Sequence, residues 1–129
     1  FGAVLVDRTD MPGPDGTPVV VHATLDLGNG RLQVGEVNPA FHLVAPPEGD
    51  DACYSLGLYV PDVDEVVARA VTAGATVREP VSTFVSGDRF GSIRDPFGVR
   101  WSVMTRVEDL SDKQSRARVA EWAESAGQE

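Results

Sequence analysis

Tyr54-Ser-Leu-Gly-Leu-Tyr-Val60, followed by Pro61, an apolar stripe over residues 63–71, and Gly87-Asp-Arg-Phe-Gly-Ser-Ile-Arg-Asp-Pro-Phe-Gly98-Val-Arg-Trp101, is the stretch that decides the fold. The first phrase reads as a strand ended by Pro61. Asp62 or Asp64 is placed to cap a helix, because a carboxylate there accepts orphan N–H groups of the first turn. Val63, Val66, Val67, Ala70 and Val71 then follow helical spacing and make one apolar face. Gly74 suits the position just past the helix end. Three strands follow: Thr76–Glu79 running on toward Phe84, Arg89–Arg94, and Arg100–Thr105. Asp95-Pro96-Phe97-Gly98 joins the last two, with Pro at the favoured second turn position. The unit is βαβββ.

Working toward the N-terminus, residues 2–7 read as a strand and Met11-Pro-Gly-Pro-Asp-Gly16 as a turn. Residues 19–27 form a second strand, Gly28-Asn29-Gly30 a tight hairpin, and residues 31–36 its partner, which gives an antiparallel meander. Residues 38–52 read as a loop or linker. The boundaries expected are residues 1–52 for a first module with its linker, 53–106 for the second module, and 107–129 for a C-terminal helix, all within one structural domain. Ser111 and Gln114 fit a capping box, and Val119, Trp122, Ala123 and Ala126 share one side of the tail helix, which is expected to dock on the body or on a second subunit. The chain opens at Phe1, already inside a strand, so a further strand and helix are expected upstream. With them the fold would be two copies of βαβββ.

Composition bounds the function. The chain has 129 residues, 42% of them hydrophobic, with 11 Lys and Arg against 20 Asp and Glu and a net charge of −9. This argues against nucleic acid and against an anionic membrane surface as partners. No apolar run is long enough to span a membrane, and the expected location is cytoplasmic. The lone Cys53 permits no internal disulfide and is expected to be a small buried hydrophobe. His42 is expected in an exposed loop. His22 reads either as a histidine satisfied within its sheet or as a cavity group able to bind ligand or act as a base. Arg89, Arg94 and Arg100 are expected to pair with Asp88, Asp95 or Glu79, the alternative being that one of them grips an anionic ligand.

The module pattern, with Met11–Gly16, His22-Ala23, Tyr59-Val-Pro-Asp-Val-Asp-Glu65, Ala73-Gly-Ala-Thr-Val77, Gly87–Gly98, Arg100-Trp101 and the run from Thr105 to Glu108-Asp109, resembles the vicinal oxygen chelate superfamily. This is the glyoxalase, bleomycin-resistance and dioxygenase group, and the branch that looks nearest is PhnB-like. The resemblance covers nearly all of residues 1–112 and is most specific over Gly87–Trp101. It implies an α+β fold of paired βαβββ modules whose antiparallel sheets curl around a cavity, and often a homodimer. In many members it implies a divalent ion that chelates two substrate oxygens; other members lack a metal and bind small molecules.

Carried onto this chain, the two ligand positions of the second module fall on Ser55 and Ser102, and one of the first module falls near Gln33. Hydroxyls are poor ligands for a divalent transition metal. The expectation is therefore a protein without a metal or other cofactor, whose small-molecule ligand meets Ser55, Ser102, Gln33, His22, Tyr59 and Trp101. The alternatives are an enzyme of the same superfamily, of lyase, isomerase or dioxygenase type, and an interaction or structural protein. No nucleophile–base–orienter trio is visible to favour catalysis, and a Ser without a nearby base is a poor nucleophile.

Overall fold

The computed structural model describes residues 1–127. The chain forms two compact units, Phe1–Ala45 and Pro46–Glu129. The first holds three strands, β1 (Val4–Pro12), β2 (Pro18–Asp26) and β3 (Arg31–Val34), in the antiparallel order β1-β2-β3. The expected meander is present, but β1 runs on to Pro12. The turn is correspondingly shorter: Gly13 N–H donates to the Thr17 carbonyl at 2.7 Å, and the Asp15 carboxylate accepts the Thr17 N–H. The strand continues through Arg8 and Asp10 because its ladder with β2 continues. Every residue of β1 is exposed, so no alternation marked its length in the sequence. In this unit only Ala23 and Thr24 are buried.

The second unit carries β4 (Ser55–Tyr59), α1 (Val63–Thr72), β5 (Thr76–Thr83), β6 (Asp88–Arg94), β7 (Arg100–Arg106) and α2 (Asp112–Ala126). This is the expected βαβββ order plus a tail helix. The sheet runs β4-β7-β6-β5. One pair differs from the antiparallel expectation: β4 lies parallel to β7, and the sheet is mixed. The crossover through α1 carries the chain to β5 at the opposite edge, running in the same direction as β4, and two antiparallel returns then bring β7 alongside β4 in that direction.

Asp62 caps α1 by accepting the Glu65 N–H at 3.0 Å. Thr105 fixes the helix start to the sheet. Its hydroxyl donates to the Val60 carbonyl at 2.9 Å and accepts the Val63 N–H at 2.8 Å. Val63, Val66 and Val67 are buried, while Val71 at the end of the predicted stripe is exposed. Together with Leu58, Ala75, Ile93, Trp101 and Val103 they form the core of this unit. Gly91 is required there: a Cβ would stand 2.9 Å from Val81 Cγ2 and 3.5 Å from Val67 Cγ2.

Asp95 closes the β6–β7 turn. One carboxylate oxygen accepts the N–H groups of Phe97 and Val99, both at 2.9 Å, and the other accepts the Trp101 indole N–H at 3.0 Å. Gly98 sits at φ 88, where a side chain would be strained. The chain before β4 belongs to this unit: Pro47 O accepts from Arg94, and Asp50 pairs with Arg78 at 3.4 Å. The residues expected to be a loop before Cys53 hold only one short 3-10 turn, Pro39–Phe41, capped by Asn38. Cys53 is exposed, not buried, because it lies ahead of β4.

The tail helix has the expected capping box at Ser111 and Gln114. It docks through an edge-to-face contact between Trp122 and Phe84, 5.0 Å between centroids, and through a two-point ion pair of Arg118 with Glu108. The docking is partial: Trp122 stays 46% exposed and no residue of α2 is buried.

Arg89 grips Asp64 with two short bonds, 2.6 and 2.7 Å, which ties β6 to the first turn of α1. Hydrogen bonding from Arg89 holds the Asp64 carboxyl below its ordinary pKa. A depressed carboxyl contributes stability above its unfolded pKa and loses it as pH falls through the folded value. Melting temperature is therefore expected to drop more steeply below the usual carboxylate range in the native protein than in Asp64→Asn. Parallel acid titrations of the two would show the pair to be inert.

Candidate functional site

The two faces of the second sheet differ in kind. In register, Trp101 lies opposite Leu56 and Ile93, and this set packs toward α1. The alternate set faces away from α1, since successive strand residues point to opposite faces. It falls into rows. Across the end of the sheet run Ser55, Arg100, Arg94 and Thr76. The next row is Gly57, Ser102, Ser92 and Glu79. The third is Tyr59, Met104, Phe90 and Ser82. Beyond it Asp88 and Arg106 are opposed; they lie 3.6 Å apart, and the Tyr59 hydroxyl donates to Asp88 at 3.0 Å.

The middle row is a floor of small side chains, with Glu79 at its β5 edge, between an arginine end and an aromatic end. Ser92 is its deepest point, 3% exposed, and its hydroxyl has no hydrogen-bond partner among the described residues. Between Val77 and Glu79 the β5–β6 register shifts, leaving Arg78 as the extra residue of a bulge beside Ser92. The Arg78 side chain is largely buried, and its Nη1 also lacks a partner. An unmade buried hydrogen bond costs about 1–3 kcal/mol. Ser92→Ala is therefore expected to stabilise the free protein by up to ~1 kcal/mol in urea denaturation; a clear loss would mean that the hydroxyl is already bonded.

Of the residues expected at a site, Ser55, Ser102 and Tyr59 share this face. Trp101 does not. It is 5% exposed on the opposite face, with its indole N–H on Asp95, and its part is in the core. Next-door positions on one strand cannot both line one face, and that rule separates Ser102 from Trp101. His22 and Gln33 lie in the first unit and share one face there, because Thr24 is two residues from His22 and pairs with Gln33. His22 Nε2 is 3.2 Å from Thr24 Oγ1 and 3.8 Å from Asp7 Oδ2. His42 is exposed, as expected. The same unit has an apolar hollow of about 330 Å³ lined by Met11, Val19, Val21, Phe41 and Leu43. Its one carboxylate, Glu36, is already taken by the Val20 N–H at 2.9 Å.

The arginines do not pair as the sequence reading expected. Arg89 binds Asp64 and Arg94 donates to Pro47 O at 2.6 Å. Arg94 and Arg100, which alternation alone left unrelated, are register partners across the hairpin. Ser92 and Arg78 were not singled out in the sequence. Ser92 stands opposite Ser102 across a hairpin whose turn was legible, so counting the register from Asp95–Gly98 could have found it. The bulge that turns Arg78 inward leaves no sequence signal.

A mixed βαβββ unit with its helix on one face of the sheet and a polar row on the other defines a class of α+β proteins built on curled sheets. The chain belongs to the glyoxalase/bleomycin resistance protein/dioxygenase superfamily, whose family profile matches residues 1–103. It is 31% identical over 123 residues to the uncharacterised protein Mb0911c of Mycobacterium bovis, covering 93% of this chain and 78% of that one. The fold is similar to that of protein PA1353 from Pseudomonas aeruginosa, with TM-score 0.60, 27% identity and coverage of 81% and 80%. A PhnB protein from Bacillus cereus shares the fold at TM-score 0.58 and 21% identity, with coverage of 81% and 80%.

The metal that this superfamily implies does not fit the donors present. Ser55 and Ser102 are neutral hydroxyls, and Gly57 between them in the trough offers no side chain. Among the described residues no group of three or more His, Cys, Asp or Glu is placed to hold an ion. Asp88, the carboxylate at the aromatic end, accepts from Tyr59 through Oδ2 and pairs with Arg106 through Oδ1, which makes no hydrogen bond; one carboxylate by itself is not a donor set for such an ion.

Proposed function

We propose that the protein binds a small molecule on the face of the second sheet turned away from α1, without a metal. The observation that carries this reading is the unpartnered Ser92 hydroxyl at the bottom of the trough, next to Ser102. Hydroxyls at Ser55 and Ser102 orient a ligand by hydrogen bonds, the buried Ser92 hydroxyl joins them once the side chains over it move aside, and Tyr59, Met104 and Phe90 offer apolar surface. In the first unit, taken by itself, His22 and Gln33 are proposed as ligand contacts, on the face they share there. The second reading, an enzyme of the same superfamily, has one observation in its favour: the His22 imidazole near Asp7, a geometry that suits a general base.

A thermal-shift screen of metabolite-like compounds, run with and without chelator, tests the proposal. Hits that persist in chelator and weaken in Ser92→Ala support it. Hits that need added zinc, nickel, iron or manganese would overturn the metal-free part. Turnover lost in His22→Ala would establish the second reading. Homodimerisation belongs to the same proposal, supported by Val4, Leu5 and Val6, all about half exposed or more along β1. Light scattering is expected to give twice the chain mass; a monomer at tens of micromolar would count against it. No described helix is long and apolar enough to cross a membrane, and the location proposed is the cytoplasm.

A further inference from the structure

The arginine end of the trough is chemically unfinished. Arg94 and Arg100 stand directly opposite each other on adjacent strands and on the same face. Like charges in that relation repel and destabilise the pair. Their surroundings do little to relieve it. Arg94 spends one N–H on the Pro47 carbonyl, a neutral acceptor that fixes the guanidinium in place. No hydrogen bond or ion pair holds the Arg100 side chain among the described residues, although it is only partly exposed. Ser55 flanks Arg100, Thr76 flanks Arg94, and the unpartnered Ser92 hydroxyl and Arg78 Nη1 lie one row deeper. Carboxylates lie near this end as well: Asp95, next to Arg94, is taken by the N–H groups of Phe97, Val99 and Trp101, and Glu48 follows Pro47. Asp50 is paired with Arg78, and Glu79 is exposed on β5.

In a chain of net charge −9, two opposed arginines beside an unbonded buried hydroxyl form a local cationic seat. We infer that the Arg94–Arg100 end of this face holds the oxyanion, a carboxylate or phosphoryl group, of a small ligand whose body lies on the Ser92–Ser102 floor toward Tyr59 and Phe90. The inference rests on the proposed ligand site and adds the chemical class of its ligand. An oxyanion there accepts from both guanidiniums, turns their repulsion into a bridge, and brings an acceptor toward the Ser92 hydroxyl. Charge-assisted bonds of this kind are about twice as strong as neutral ones. The neutral end of the same ligand would lie on the apolar third row, so the site favours an anionic head with an apolar body.

The test is a nitrogen-15 NMR titration of the whole chain, following arginine Nε–H signals and the Ser92 and Ser102 amides at constant ionic strength. The probes are sodium acetate, inorganic phosphate and, as the uncharged control, acetamide. Saturable shifts at Arg94, Arg100 and Ser92 with acetate or phosphate, absent with acetamide, are expected. A response to acetate alone assigns a carboxylate, and to phosphate alone a phosphoryl group. Arg100→Gln is expected to weaken the responding anion at least tenfold. It is also expected to raise the melting temperature of the free protein by about 1–3 °C, since it removes one of the opposed charges. Non-saturable shifts, or shifts unchanged in Arg100→Gln, would overturn the seat. Uncharged screening hits that map to Ser92 and Ser102 while acetate and phosphate leave Arg94 and Arg100 unmoved would overturn the seat and leave the ligand site standing. Anion binding at the arginines with every larger hit mapping elsewhere would overturn the site as the place of the ligand's body.

Discussion

Trp101→Ala is expected to destabilise the protein by about 3–5 kcal/mol, the range for truncating a buried aromatic side chain. The indole is 5% exposed and packs in register beside Leu56 and Ile93. Its loss opens a cavity that a sheet fixed on both sides by ladders cannot close. It also removes the N–H that Asp95 accepts at 3.0 Å, in the turn that sets the β6–β7 register. Total stability of a domain is about 5–15 kcal/mol, so this one change takes a large share of it. Trp101→Phe keeps most of the packing and loses the hydrogen bond, and is expected to cost about 1–2 kcal/mol. Urea denaturation of the three proteins checks both values. A Trp101→Ala protein as stable as the native one would mean that the indole is not in the core. It would reopen the reading of this residue as a ligand contact.

The second large effect is on binding. Ser102 is the middle of the floor, with Gly57 on one side and Ser92 on the other. Ser102→Phe puts an aromatic ring across this row on the face away from α1, opposite to the face that packs the core. Ligand affinity is expected to fall by at least about a hundredfold, the equivalent of losing roughly 2.7 kcal/mol of binding, while the melting temperature of the free protein stays within about 2 °C. The contrast with Trp101 is the point: adjacent residues on one strand, one controlling stability and the other binding. Titration of a hit from the thermal-shift screen against both variants measures it. Affinity unchanged in Ser102→Phe would place the ligand elsewhere, with the apolar hollow around Met11 and Phe41 the next candidate.

The architecture was legible where the chain carries strong local chemistry. Pro61, Asp62 and the Val63–Val67 spacing located α1, and Asp95–Gly98 located the last hairpin, because turn and cap residues act over a few positions. The length of β1 was not legible, since an exposed edge strand needs no hydrophobic pattern and takes its form from its neighbour's ladder. The parallel β4–β7 pair depends on the crossover and on no single residue. For the site, the two serines could be placed from the turn by counting, and they do share a face. Trp101 resembles a site residue only by its aromatic chemistry; the period of two sends it to the other face. Alternation along each strand does not bring Arg94 and Arg100 together; their relation exists only across the hairpin. The inward turn of Arg78 comes from a bulge, a tertiary feature that sequence spacing does not encode.

The proposed ligand site is the floor between the arginine end and the aromatic end of the second sheet, and amide chemical-shift mapping of a bound screening hit locates it. The largest shifts are expected on Ser55, Gly57, Ser92 and Ser102, and they are expected to vanish in Ser102→Phe. Shifts centred on Val19, Val21 and Phe41, and preserved in that variant, would contradict it.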